Sequence, residues 1–317
     1  MNKNFSIIIP FFNEENNIPN LIDSLDSFFK RNSLINCEVI FVDDGSTDES
    51  FKLFEKYFYD KSFAGKVIRL SKNYGSHAAI RAGLLNTSGD YAMFLPADLQ
   101  DSPELILQLS TKAKEGYDIV LASRNNTATG IFEKAFTHIY AALMRKCVNK
   151  DYPLHGFDVV FFNRKVIDKL NKNIESNSNI FLQILEMGFK QSSIDYDKQE
   201  RKIGKSKWTI GKKIKMLIDS FVAFSYAPIR FVSFVGILFF MIGILWTVYI
   251  VSRKLIYDDI ATGWPMLTSI LLLGFGITNI GLGIIAEYLW RTLDASRKRP
   301  VFIIDEMVEL NKLDATQ

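Results

Sequence analysis

From Phe231 to Val251 the chain reads FVSFVGILFFMIGILWTVYIV, and from Pro265 to Ala286 it reads PMLTSILLLGFGITNIGLGIIA, with no ionisable side chain in either run. A helix of about 20 such residues matches the thickness of a hydrocarbon core, and buried helices of soluble proteins rarely run so long without a charge. Two membrane-spanning helices are therefore expected, at about 231–251 and 265–286. Trp246 and Tyr249 in the first run, Trp264 before the second, and Tyr288, Trp290 and Arg291 after it put aromatic and basic groups where bilayer meets water. Glycines 274, 276, 281 and 283 permit close helix packing and favour a homo-oligomer.

The short connection between the runs carries Arg253, Lys254, Asp258 and Asp259, whereas the outer flanks are more basic. Lys205, Lys207, Lys212, Lys213, Lys215 and Arg230 precede the pair, and Arg291, Arg297, Lys298 and Arg299 follow it. The positive-inside rule then places both termini in the cytoplasm. The early apolar run Phe5–Phe12 is broken by Pro10 and followed by Asn13, Glu14 and Glu15, which does not read as a signal peptide. The expected organisation is a cytoplasmic domain over 1–228, a two-helix hairpin over 229–290 and a cytoplasmic tail over 291–317.

Composition narrows the class. Mean hydropathy of +0.07 is high for a chain of 317 residues with 23% charged side chains, so the apolar excess is concentrated in the two runs. With 38 basic against 35 acidic side chains the net charge is +3, and no basic face lies outside the juxtamembrane stretches, which excludes a nucleic-acid partner. Cys37 and Cys147 have no CxxC spacing, which excludes a disulfide framework and a zinc-binding knuckle.

Ahead of the hairpin, four short runs rich in Ile, Val and Phe read as buried parallel strands: 6–12, 37–46, 65–71 and 90–101. Helical spacing joins them, with Ile18, Leu21, Ile22, Leu25, Phe28 and Phe29 over 16–31, and Phe51, Phe54 and Phe58 over 47–58. Strand–helix alternation argues for an α/β domain with a mostly parallel sheet, whose ligands sit at the carboxyl ends of the strands. At those ends stand Asn13 and Glu14, Asp43 and Asp44, Ser71 to Asn73, and Asp98, Gln100 and Asp101. Carboxylates gathered at one edge repel one another unless a divalent cation or a donor-rich ligand sits among them, which points to a nucleotide–metal site.

The series IIIPFFNEE (7–15), VDDGSTD (42–48), SKNYGSHAAIRAGL (71–84), GDYAMFLPADLQDSPE (89–104), GFDVVFFNRKVID (156–168) and RKIGKSKW (201–208) resembles the GT-A family 2 glycosyltransferases. More narrowly, it is similar to the polyprenyl-phosphate glycosyltransferases, and the resemblance extends through IAEYLWRTLDASRKRPVFIIDE (285–306). It implies a GT-A, Rossmann-like sheet domain and an inverting transfer of sugar from a UDP- or GDP-sugar to polyprenyl phosphate. The carrier would be undecaprenyl phosphate at the cytoplasmic face of a bacterial inner membrane. Nucleotide-sugar contacts are implied for Pro10, Phe12, Glu14, Asp43, Asp44, Ser71, Lys72, Asn73, Ala97 and Asp98, and phosphate and acceptor contacts for Arg124, Arg201, Ser206 and Lys207. Arginine offers phosphate a matched fork and lysine a mobile point charge. The bland reading of 201–207 is a basic stretch held to anionic lipid.

The resemblance also implies Mg²⁺ or Mn²⁺ on an Asp-x-Asp motif, but Pro96 stands in place of the first aspartate. Asp98 and Gln100 would then hold the cation together with diphosphate oxygens, so weaker or altered metal dependence is expected. Asp158 is the candidate for acceptor orientation or base work, with a helix cap as its alternative reading. Arg81 faces either the donor or a structural carboxylate. Segments 131–147 and 209–226 are amphipathic and suit interface helices, although the first also suits packing on the sheet. A processive polysaccharide synthase lacks support, since the chain has neither Gln-x-x-Arg-Trp nor further spans. A membrane-tethered pseudoenzyme draws support from Pro96 alone.

Overall fold

The computed structural model describes residues 4–58, 61–124, 140–146, 156–175, 179–198 and 263–310 except 298, with isolated positions elsewhere. Two compact units emerge, one formed by Met1–Leu217 together with Pro300–Gln317 and the other by Ile218–Arg299.

The first unit is built on an eight-stranded sheet. In chain order its elements are β1 (Phe5–Phe11), α1 (Ile18–Arg31), β2 (Cys37–Asp43), α2 (Ser50–Tyr57), β3 (Ala64–Leu70), α3 (Ser76–Leu85), β4 (Tyr91–Phe94), α4 (Leu105–Ala113) and β5 (Ile119–Arg124). There follow β6 (Phe157–Asn163), α5 (Arg164–Lys172), α6 (Ile180–Glu186), β7 (Gln191–Tyr196) and, beyond the second unit, β8 (Ile304–Leu310). The strand order is β7-β5-β6-β4-β1-β2-β3-β8. Strands β4, β1, β2 and β3 run parallel, whereas β6 is antiparallel to β4 and β5, and β8 is antiparallel to β3.

The four expected strands and two expected helices are present, three of the strands and both helices within a few residues of their expected bounds, while the fourth strand, expected over 90–101, ends already at Phe94. Pro10 is tolerated in β1 because β4 pairs with β1 only as far as Ile8, and the backbone at 8 and 10 faces that side. No ladder bond is lost there. Pro19 sits in the first turn of α1, where its missing N–H would be unpartnered anyway.

Alternating side chains divide the sheet's two faces. Ile7, Ile9, Phe11, Val39 and Phe41 pack against α1, α2 and α4, where Phe28, Phe29, Phe54, Phe58 and Phe63 form a continuous aromatic core. On the other face α3 lies directly on β1 and β2, so close that a β-carbon at Gly83 would fall 2.4 Å from Ile8. Hydrophobic burial of this kind on both faces is what holds a parallel sheet together.

Strand β8 was not foreseen: the C-terminal stretch reads as a tail, yet it pairs with β3 from Gly65–Leu310 to Leu70–Ile304. Leu310 is buried and only Ile304 and Val308 are partly so, which makes the alternation too faint to signal a strand before the edge of β3 is known to need a partner.

In the second unit, α7 (Trp264–Ser296) is one helix of 33 residues that includes the whole uncharged run 265–286. In the first run, 231–251, the described positions (232, 234–236, 238, 239, 241, 242, 245, 246, 248 and 249) are helical, whereas the segment 209–226 lies largely outside the described residues. Among the described residues no helix is long and apolar enough to cross a membrane. In the first amphipathic segment, Tyr140, Ala141 and Met144 are buried and Arg145 Nε donates to the Tyr152 carbonyl at 2.7 Å, which is the packed arrangement; residues 131–137 lie outside the described set.

Candidate active site

The carboxyl ends of β1, β2 and β3 are tied together by their own loops. Asn13, in the left-handed region with φ 52°, donates its N–H to Ser46 Oγ at 2.9 Å and accepts from Thr47 N at 2.8 Å. Glu14 N donates to Ser50 Oγ at 2.8 Å, and the Glu14 side chain receives Asn17 Nδ2. Gly45 has φ 69°, and a β-carbon there would meet the Lys72 backbone at 2.4 Å, so only glycine lets the β2–α2 and β3–α3 turns approach. Ser71, Lys72 and Asn73 lie exposed on that rim. Ser71 N donates to Ile303 O at 3.0 Å, which fastens the rim to the approach of β8.

The two adjacent aspartates divide their tasks. Asp44 accepts from Tyr74 N at 2.7 Å and Gly75 N at 2.9 Å, so it fixes the start of α3 rather than standing free for a ligand. Asp43 accepts from Ser46 N at 2.8 Å, while its fully buried Oδ2 makes no hydrogen bond and lies 3.9 Å from Arg69 Nε. Burial pushes the Asp43 carboxyl up, and pushes that of Asp44 up to about 6.

A raised carboxyl favours the folded state while protonated, so this contribution is full below the ordinary value near 4 and is lost as pH climbs through about 6. We predict that the melting temperature of Asp44→Asn rises relative to wild type between pH 4 and 7. The corresponding free-energy change is on the order of 3 kcal/mol. A difference that stays constant over that range rejects the assignment.

Around the end of β4 a second group gathers. Leu99 takes φ 59°, costly for a bulky residue, and the resulting turn lets Gln100 N donate to Asp98 Oδ1 at 3.2 Å. Ala97 is packed in the core, so only its backbone is available to a ligand. Asp101 is fully buried, accepts from Tyr196 Oη and lies 3.3 Å from Lys198 Nζ. Lys198 Nζ also sits 2.9 Å from Asp158 Oδ2, and that same oxygen pairs with Arg124 Nη2. The buried Arg124 Nε makes no hydrogen bond, a donor without an acceptor at the edge of the site.

Asp158 occupies β6 and caps no helix. Arg81 is buried and donates to Gln183 Oε1 at 2.7 Å, with Glu175 close enough to favour its charge, so it joins α3 to α6. His77 is edge-on to Phe181 and burial brings its pKa down to about 4, a structural histidine. Arg201, Ser206 and Lys207 lie outside the described residues. Sequence reading named Asp98, Gln100, Asp101, Arg124 and Asp158, but did not single out Tyr196 or Lys198. The only local sign of Lys198 was its place just before the basic stretch.

A cation would find the Asp98 and Gln100 side chains here, and among the described residues no three acidic, histidine or cysteine side chains converge on one metal. Such a donor set fits Mg²⁺ or Mn²⁺ only in the shared form, where substrate phosphates complete the coordination.

Residues 6–232 match glycosyl transferase family 2. Over 303 residues the chain is 33% identical to an uncharacterized glycosyltransferase, YkcC, of Bacillus subtilis, covering 95% of this chain and 93% of that one. It is 32% identical to the undecaprenyl-phosphate 4-deoxy-4-formamido-L-arabinose transferase of Proteus mirabilis, covering 98% of this chain and 96% of the relative. The crystal structure of glucosyl-3-phosphoglycerate synthase from Mycobacterium tuberculosis, in complex with Mn²⁺, UDP-glucose and phosphoglyceric acid, superposes with TM-score 0.51 at 17% identity, covering 68% of this chain and 77% of that one. The parallel sheet with its acidic strand ends is thus a GT-A fold, and the chain is a glycosyltransferase belonging to glycosyl transferase family 2.

Proposed function

We propose that the protein transfers one sugar from a nucleotide-sugar to polyprenyl phosphate at the cytoplasmic face of the membrane, with inversion, releasing the nucleoside diphosphate. The observation that carries this reading is the group Asp98, Arg124, Asp158 and Lys198 at the end of the family's sheet, which combines carboxylates with phosphate-binding cations in one place. Near end-to-end similarity to a transferase named for undecaprenyl phosphate supports the acceptor.

In this reaction a phosphate oxygen of the lipid attacks the anomeric carbon from the face opposite the diphosphate, whose bond to that carbon breaks. The nucleophile is already anionic, so the protein has little proton to remove. Its task is to aim one phosphate and hold another. Asp158 orients the acceptor, and Arg124, with its unpartnered Nε, binds a phosphate oxygen alongside Arg201, Ser206 and Lys207. Asp43 and the rim at 71–73 hold the nucleoside, with Pro10, Phe12 and Glu14 on its other side. Asp98 and Gln100 would hold a divalent cation, which when bound would supply charge to offset that of the leaving diphosphate; the Mn²⁺ complex of the Mycobacterium tuberculosis enzyme supports that role.

The membrane reading rests on the two uncharged runs. Helix α7 is about 50 Å long at 1.5 Å per residue, and it exposes Leu267, Phe275, Ile280, Leu282 and Leu289, each more than half exposed. Apolar side chains displayed in such number call for a non-aqueous partner. Chain topology supports an even number of crossings, because residues on both sides of Ile218–Arg299 belong to one compact unit. Both termini then share the basic, cytoplasmic side.

The test is transfer of radiolabelled sugar from a panel of UDP- and GDP-sugars to undecaprenyl phosphate by the detergent-purified protein, with Mg²⁺, Mn²⁺ or EDTA. Labelled lipid from one donor is the expected result. Folded protein that yields none from any donor favours the tethered pseudoenzyme, for which Pro96 is the supporting observation.

A further inference from the structure

We infer that Lys198 is a diphosphate-binding residue of the reaction centre, a cation built into the protein that supplies charge lost with the missing carboxylate at Pro96. The inference rests on the glycosyl-transfer reading above and deepens it. With proline at 96, the β4 end offers a cation one motif carboxylate, Asp98, instead of two.

Near enough to Asp98 for the two charges to interact, the structure places an ammonium. Lys198 follows β7 by two residues and is held from two sides, by Asp101 of the β4–α4 turn at 3.3 Å and by Asp158 of β6 at 2.9 Å. Its side chain is 14% exposed, shielded enough for its charge to act at low effective dielectric, yet open to solvent at one edge. Asp101 is itself anchored by Tyr196 Oη and is fully buried, so Lys198 keeps its position if Asp158 turns to another partner. An ammonium has three N–H donors. One is donated to Asp158, and Asp101 lies at ion-pair distance without a hydrogen bond at its Oδ2, so donor capacity remains for an incoming phosphate oxygen.

The electrostatics favour the same role. Burial draws the Lys198 pKa down, and Asp101 opposes that effect; Arg124 then lowers it and Asp98 raises it. Of these three charged neighbours two are carboxylates in its favour, Asp101 and Asp98, in the position where a leaving diphosphate has to be neutralised. Three carboxylates (Asp98, Asp101, Asp158) against Arg124 alone would repel a diphosphate; Lys198 reduces that excess. A purely structural pair linking β7 to the β4–α4 turn predicts no connection to metal, and this is where the two roles part.

The test is calorimetric binding of UDP and of GDP to the full-length protein in detergent, in EDTA and in Mg²⁺. Wild type is expected to bind one of them in EDTA within about threefold of its affinity in Mg²⁺. Lys198→Met is expected to weaken binding in EDTA by about tenfold or more, with much of the loss recovered in Mg²⁺. Because this change strands buried Asp101, the double variant Lys198→Met/Asp101→Asn is measured as well, with thermal melting as a check on folding. Pro96→Asp should widen the ratio between Mg²⁺ and EDTA affinities. Unchanged EDTA binding in the folded double variant overturns the proposal, as does wild type that binds only with Mg²⁺. Folded wild type that binds neither nucleotide under either condition rejects the nucleotide-donor reading and this inference with it.

Discussion

Replacing Asp158 by asparagine is expected to lower kcat for sugar transfer by about 10²-fold, the order lost when a reactant is misplaced by about 1 Å. The carboxylate joins Arg124 to Lys198 and is about a third exposed, so it can leave these partners when phosphates arrive and turn towards the acceptor. Asparagine keeps the shape and one oxygen but not the charge. Because Lys198 retains Asp101, the fold should survive, and donor binding should change far less than turnover. Initial rates at saturating donor, set beside calorimetric donor affinity, separate the two. A variant with wild-type kcat would take Asp158 out of the reaction and leave acceptor orientation to Arg124 and the basic stretch at 201–207.

Ending the chain before Pro300 is expected to destabilise the catalytic unit by about 4 kcal/mol. The figure combines burial of one large apolar side chain, roughly 2 kcal/mol, with the net worth of a few ladder hydrogen bonds at about 1 kcal/mol each. Leu310 is the side chain concerned; it is 7% exposed and belongs to the main core. Against the 5–15 kcal/mol typical of a domain the loss is large. It would also leave β3 as a bare edge and free Ser71 from Ile303, so weaker donor binding should accompany the lower melting temperature. Equal melting temperatures and donor affinities for truncated and full-length protein would show β8 to be dispensable.

Half of the sheet was legible in advance because its signals are local. Strands β1 to β4 are short, unbroken apolar runs, and α1 and α2 carry apolar residues at helical spacing, patterns set within a dozen residues. Strands β5 and β6 are apolar runs of the same kind that were not read as strands, whereas β7 has only Tyr196 buried and nothing in its own residues announces it. The acidic strand ends were legible too, but the work of each acid was not. Asp43 and Asp44 are neighbours in an ordinary Asp-Asp-Gly turn, and the contacts that distinguish them come from Arg69, Tyr74 and Gly75, some 25 to 31 residues further on.

The sequence by itself determined the α/β class, the two uncharged runs, the strand-end carboxylates and the loss of a motif aspartate at Pro96, since each depends on residue type and short spacing. Tertiary structure alone decided that the C-terminal segment closes the sheet at β3, that Arg81 joins two helices, and that Lys198 lies between Asp101 and Asp158. The physical reason is the range of the forces involved. Hydrophobic periodicity is written along one element, whereas an ion pair across 97 residues, as between Lys198 and Asp101, exists only once the strand order β7-β5-β6-β4 has brought the two ends together.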